Sequence, residues 1–236
     1  MRGTPAEFLA GPAGVPRLVR KALMVTVEVD PACVESRLAA GEIGCPCCVG
    51  GVLGGWGYAR QRSVAGTGQL VRPRRARCRG CAVTHVLLPV SLLLRRAYLA
   101  EWIWAALLAK AGGSGHRAIA RRLGVPASTV RGWLRRAGGR LERVRAWFVS
   151  VGVAAGVDVR VPPASGSRWV DALAAVAVAW VAITGRFGRS GVFGAVTAAW
   201  VAVAGSGGRL LSPGWPRVAL AVAPTPAGPD DAGSSV

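Results

Sequence analysis

Two Cys-x-x-Cys pairs, Cys45-Pro46-Cys47-Cys48 and Cys78-Arg79-Gly80-Cys81, constrain this chain more than any other feature. Each pair can form a knuckle, a tight turn that aims two thiolates at one point while backbone N–H groups steady the sulfurs. Two knuckles together make a tetrahedral four-thiolate site, which suits zinc and leaves no open position for catalysis. One structural Zn2+ per chain is therefore expected, on Cys45, Cys48, Cys78 and Cys81. Cys45 is chosen over Cys47 because adjacent Cys47 and Cys48 converge poorly on one ion. Cys47 is left spare in the turn, and Cys33 reads as a small buried apolar residue. His85, in a Val/Leu run, reads as a hydrogen-bonded structural histidine outside the ligand set. A redox pair would need to open a helix after a strand, as in a thioredoxin-like site, and neither pair does. Gly-punctuated, β-like runs at Gly51–Tyr58 and Leu70–Arg77 make 45–90 a zinc ribbon.

The surrounding composition supports metal over disulfides. Six cysteines in 236 residues are too few for a disulfide-dense scaffold, and 52% apolar residues exclude a wholly disordered chain. No secretory signal is legible in the Gly/Pro-rich first twenty residues. A cytoplasmic, reducing location is the expectation, with 1–23 as a flexible leader.

Charge is concentrated in one stretch. Of a formal net charge of +19, the segment from Gly51 to Ala146 supplies 19 basic residues against two acids, Glu101 and Glu142. All the cations there but Lys110 are arginines, whose planar guanidinium grips phosphate in a bidentate way. Arg75, Arg77 and Arg79 alternate away from the Cys78 face of their strand and would form a basic ridge beside the metal. A solvated basic surface explains some of these side chains.

Within the same segment, His116 to Arg135 has the pattern of a helix-turn-helix. Ile119, Ala120 and Leu123 give the first helix (His116–Leu123) an inner face, and Gly124 sits where the chain must turn sharply. Val125 packs under the turn, Pro126 stops the first helix, and Ser128 is placed to cap the second (Thr129–Ala137). Val130 and Trp133 point inward. Ser128, Thr129, Arg131, Gly132, Arg135 and Arg136 then face outward with Arg121 and Arg122 of the first helix, as in a recognition helix whose early residues reach base edges. Gly132 costs about 1 kcal/mol against Ala in a helix interior, a cost that fits a close approach of backbone to DNA. An ordinary helical hairpin needs the same core but not an acid-free outer face.

The run from Asp30-Pro31 through CPCC, WGYAR, RARCRGCAVTHVLLPV, GHRAIARRLG and STVRGWLRR resembles a family of actinobacterial proteins of unknown function. These are described as helix-turn-helix or transposase-like, with a zinc ribbon ahead of a homeodomain-like unit. The resemblance covers roughly 24–150 and extends to the DNA-end-binding front half of insertion-sequence transposases. It implies DNA binding and brings no established activity.

Elsewhere, Val25, Val27 and Val29 alternate as in a strand, and Asp30-Pro31 opens a helix that Gly41 ends, so 24–44 reads as strand plus helix. Arg95–Ala111 reads as a longer helix, and Leu141, Val144 and Phe148 mark a linking helix, so 91–150 is the helix-turn-helix domain with its link. The Ala/Val/Trp-rich region at 151–223 contains Ala175–Gly185 and Ala195–Gly205, which match at seven of eleven positions and suggest a C-terminal helical hairpin. Its uncharged run Ala172–Thr184 is short for a bilayer, so packing on the rest of the chain or on a second copy is favoured over a membrane. Residues 224–236 read as a disordered tail.

No catalytic constellation is found. The acids after the helix-turn-helix do not suggest the three converging carboxylates of a two-metal transposase, and neither His85 nor His116 has a nucleophile at motif spacing. The expected fold is mainly α with a small β zinc ribbon, then a homeodomain-like three-helix unit and the helical hairpin. The expected partner is double-stranded DNA, with no small-molecule substrate. RNA binding by the ribbon and membrane anchoring by the hairpin are the alternatives.

Overall fold

A computed structural model of the chain describes residues 23–155, 159–188, 190–191, 194–213 and 215. The tail expected at 224–236 and the leader expected at 1–23, Leu23 excepted, lie outside the described residues. The architecture is mainly α-helical with a small mixed sheet.

The sheet region begins with β1 (Leu23–Val27) and α1 (Pro31–Ala40). Asp30 caps α1, its Oδ1 accepting from the N–H of Ala32 at 2.8 Å, and Gly41 ends it with a left-handed φ of 73°. There follow β2 (Leu53–Tyr58), the two-residue strands β3 (Arg62–Ser63) and β4 (Leu70–Val71), β5 (Arg74–Cys78) and β6 (Thr84–Pro89). Four strands pair in the order β1-β6-β5-β2, with β1 parallel to β6 and the others antiparallel. The strand expected ahead of the ribbon is thus a member of the ribbon's own sheet. Helix α1 lays Val34 and Leu38 over Val27, Leu53, Ala76 and Leu87, which closes this small core.

The helical region comprises α2 (Ala100–Ala111), α3 (His116–Leu123), α4 (Ala127–Gly138), α5 (Leu141–Ala155), α6 (Arg168–Phe187) and α7 (Ala198–Gly205). Helices α2, α3 and α4 pack mutually, burying Ile119, Ala120, Val125, Val130 and Trp133 as the sequence pattern requires. Gly124 ends α3 with a φ of 64°, a conformation that L-residues adopt only at a steric cost.

Three expectations need correction. Helix α2 starts at Ala100, not Arg95, because Arg95 takes a positive φ of 58° and Leu99 bridges back to Leu92. Helix α4 starts at Ala127 after Pro126, with no side-chain cap, so Ser128 lies exposed in the first turn and caps nothing. The C-terminal helices α6 and α7 do contact each other, but they are unequal in length and the larger contact of α6 is elsewhere. Helix α6 packs chiefly against α5, where Gly152 leaves only Cβ-sized space before the Ala179 backbone, and the similar segment supplies the much shorter α7 after a small ladder of Ser190–Gly191 with Gly194–Ala195. Extended through Arg168 and Arg186, α6 reaches 20 residues, about 30 Å. Among the described residues it is one helix long and apolar enough to cross a membrane by length and composition, and 33% of that stretch is buried inside the protein.

The chain then returns to the junction of the two regions. The N–H of Leu94 donates to the Gly208 carbonyl at 2.7 Å, and Trp215 packs edge-on against Trp147, 5.8 Å between ring centres, and beside Phe148.

Candidate metal centre and nucleic-acid interface

The four cysteines expected as ligands converge. Loop residues before β2 bring Cys45 and Cys48, and the end of β5 with its following turn brings Cys78 and Cys81. All four sulfurs lie within 4.8 Å of one another. Cys45 and Cys81 sulfurs are 3.7 Å apart, and those of Cys48 and Cys78 are 3.6 Å apart. Four sulfurs placed tetrahedrally at about 2.3 Å from zinc would be about 3.8 Å apart, so the spacing fits such an ion. Both turns also supply the expected N–H groups. Those of Gly80 and Cys81 donate to the Cys78 sulfur at 3.3 and 3.4 Å, and that of Cys47 donates to the Cys45 sulfur at 3.3 Å.

The thiols respond to this crowding. The backbone N–H of Cys81, ahead of that of Gly80 and the Cys48 thiol, holds Cys78 down at about 6 despite its burial. Cys48, hydrogen-bonded first to Cys78 and then to Cys81, is pushed up to about 12. A cation bound between the four sulfurs would displace their protons and meet the charge this leaves.

Two residues were not assigned to the site from sequence. A Cβ on Gly51 would stand 2.3 Å from the Cys48 sulfur and 2.9 Å from that of Cys78, so only glycine closes the cluster on this side. Its signal was the Gly50-Gly51 pair directly after the first knuckle. His85 is fully buried, with Nε2 3.5 Å from the Cys45 sulfur and a pKa lowered by burial. With Cys45 and exposed Cys47 it makes a second set of donor atoms within 4.8 Å. The four-sulfur set fits zinc better, since it completes a tetrahedron. Cys33 departs from expectation: it is half-exposed, its thiol 3.5 Å from the Asp30 carboxylate.

The basic residues divide into three groups. Arg121, Arg122, Arg131 and Arg135 are exposed with Ser128 on the outer side of α3 and α4, and Thr129 is partly covered. Arg77 and Arg79 are exposed beside the cysteine cluster, while Arg75 is half-buried. The Arg77 guanidinium lies 4.8 Å over the ring of half-exposed Trp56 and donates to the Ala82 carbonyl at 3.1 Å. Arg136 folds back on its own helix, donating to the Gly132 carbonyl at 2.9 Å. A Cβ at Gly132 would come within 2.9 Å of that guanidinium, so the room left by this glycine is occupied by Arg136.

Compared with protein families, with curated proteins and with solved structures, the chain matches none.

Proposed function

We propose that this chain binds duplex DNA through α3 and α4, with a structural zinc ion stapling the adjoining sheet. The observation that carries this reading is the two-sidedness of the α3–α4 unit. Its inner face is sealed by Ile119, Val125, Val130 and Trp133, while its outer face presents Arg121, Arg122, Arg131 and Arg135 without a single acid. A helix end held rigidly by a core and lined with guanidinium groups matches what a major groove offers: phosphates along its rims and guanine O6/N7 on its floor. Arg131, in the first half of α4, is the residue assigned to base edges, and Arg77 and Arg79 are assigned to phosphates. Such a protein is a regulator or the DNA-binding part of a transposase-like system, acts without catalysis of its own, and works in the cytoplasm. Selection of bound sites from a random duplex library tests the reading; an intact, metal-loaded protein that enriches no sequence overturns it.

One observation favours a second reading, RNA binding. Trp56 is 53% exposed on β2 with Arg77 stacked over it, and an exposed aromatic beside arginines offers a surface on which an unpaired base can stack. Competition between duplex and single-stranded RNA separates the two, since Trp56→Ala weakens only the second.

A further inference from the structure

Two donors stand beside the four-sulfur cluster without belonging to it. Cys47 is exposed in the first knuckle, and His85 is fully buried on β6, between Leu23 of β1 and Ala76 of β5. With Cys45 they form a second set whose donor atoms all lie within 4.8 Å of one another, and the two sets share Cys45 alone. His85 Nε2 is 3.5 Å from the Cys45 sulfur. A thiolate at about 2.3 Å and an imidazole nitrogen at about 2.1 Å from one zinc ion, placed tetrahedrally, would be about 3.6 Å apart. The spacing fits two ligands of one ion as well as it fits a hydrogen bond.

The arrangement is built rather than accidental. Pro46 separates the two cysteines with a residue of fixed φ, and the N–H of Cys47 donates to the Cys45 sulfur at 3.3 Å, so both thiols belong to one braced turn. His85 arrives from a different element with Nε2 directed at the same sulfur. A thiolate bound to one ion keeps further lone pairs, so Cys45 can bridge to another. Charge favours that step. Four thiolates overbalance a single divalent ion by two charges, whereas a second divalent ion brings two positive charges and needs only one more thiolate. A cleft of about 600 Å³, lined by Cys45, Cys47 and Cys48, leaves room for a water as the fourth ligand. A histidine serving only as hydrogen-bond partner of Cys45 would account for the 3.5 Å contact, but not for a further cysteine within ligand reach of both.

We propose that Cys45, Cys47 and His85 hold a second thiophilic ion of the zinc class, with the Cys45 thiolate bridging it to the structural ion. The proposal rests on the structural ion of the reading above, since the bridge needs both metals; it is independent of DNA binding. Two thiolates and an imidazole select zinc or a softer cation over magnesium or calcium. Three protein donors hold an ion less firmly than four, and a water in the fourth position keeps the site open to exchange. The structural ion is therefore retained on purification, while the second site fills when metal is in excess and empties again on dialysis.

The test uses the full-length protein carrying its structural zinc and counts bound ions by native mass spectrometry as zinc is added. The wild type should reach two ions per chain. Cys47→Ser, a change at an exposed position, should stop at one with its circular dichroism unchanged. A wild type that stops at one overturns the second site and keeps the structural ion; a chain that holds none loses both. Two ions on Cys47→Ser as readily as on the wild type place the extra ion elsewhere and also overturn the proposal. Replacement of both ions by cadmium-113 reads the bridge directly, without a substitution at buried His85. Two resonances are expected, each split by the other through the Cys45 sulfur, and one of them coupled to His85 Nε2. Two unsplit resonances, or no coupling to His85, overturn the shared site.

Discussion

Among the described residues, eight buried ones, Cys78 among them, make the core between α1 and the sheet and Val64, Leu88 and Leu92 a separate small cluster, whereas twenty-eight make the continuous core that runs through the helices to Trp215. Both regions bury apolar side chains, but the sheet does so in two small clusters and the helices in one large one. The four-cysteine cluster sits where the core gives out, joining the loop before β2 to the end of β5. The comparison teaches that a metal bound here would substitute for packing. The helices, sealed by Phe148 and its neighbours, need no such substitute.

The most drastic way to break the comparison is to remove the metal. Apparent zinc-binding free energies of structural sites are on the order of 10 kcal/mol, far above what eight core residues leave in reserve. Chelation or Cys78→Ser should unfold 45–89 while most helical circular dichroism persists, as hydrogen exchange resolved along the chain will show. Uniform collapse of both regions would mean that they share one stability. Metal analysis of protein purified without a histidine tag should give one zinc per chain.

Phe148→Ala provides the reciprocal perturbation. Phe148 is fully buried against Trp215 and Gly205, and emptying such a site costs about 3–5 kcal/mol. Denaturant melts should lose that much in the helical transition, with the metal content unchanged. Smaller again is Arg131→Ala. It should relax preference at one position of the selected site by about 1–3 kcal/mol while nonspecific binding stays nearly intact. Replacing Arg77 and Arg79 with Gln should have the smallest effect per site, weakening all duplexes alike and flattening the salt slope by roughly two units. If the Arg131 effect and the joint Arg77 and Arg79 effect do not separate in this way, the division between a reading helix and a basic ridge fails.

How much of this was legible in the sequence follows from the range of the interactions. Asp30, Pro31 and Gly41 delimit α1, and Gly124 delimits α3, through bonds that close within five residues, so their chemistry is written locally. The two cysteine pairs are equally plain because each is a turn in itself. Parallel pairing of β1 with β6, by contrast, joins Leu23 to His85 across the sheet, and no local pattern specifies it. The resemblance of Ala175–Gly185 to Ala195–Gly205 suggested that these segments pair with each other, and α6 and α7 do pack together, but no local pattern told that α6 would pack still more extensively on α5. Nothing local singles out Arg96 and Arg140, whose partners are the carbonyls of 210–212 far along the chain.

The return of the chain to its own middle has a consequence in time. Every ligand of the metal cluster has been synthesised once Cys81 has emerged, and β6 follows within a few residues. The helical core, however, waits for Trp215 to reach Trp147, and the junction waits for Gly208 to accept from Leu94. At ordinary rates of chain elongation the interval between these two events is on the order of ten seconds. During it a nascent chain holds the complete set of four cysteines beside an unfinished core, so a metal bound by them would be acquired before the helices close and need not compete with that closure.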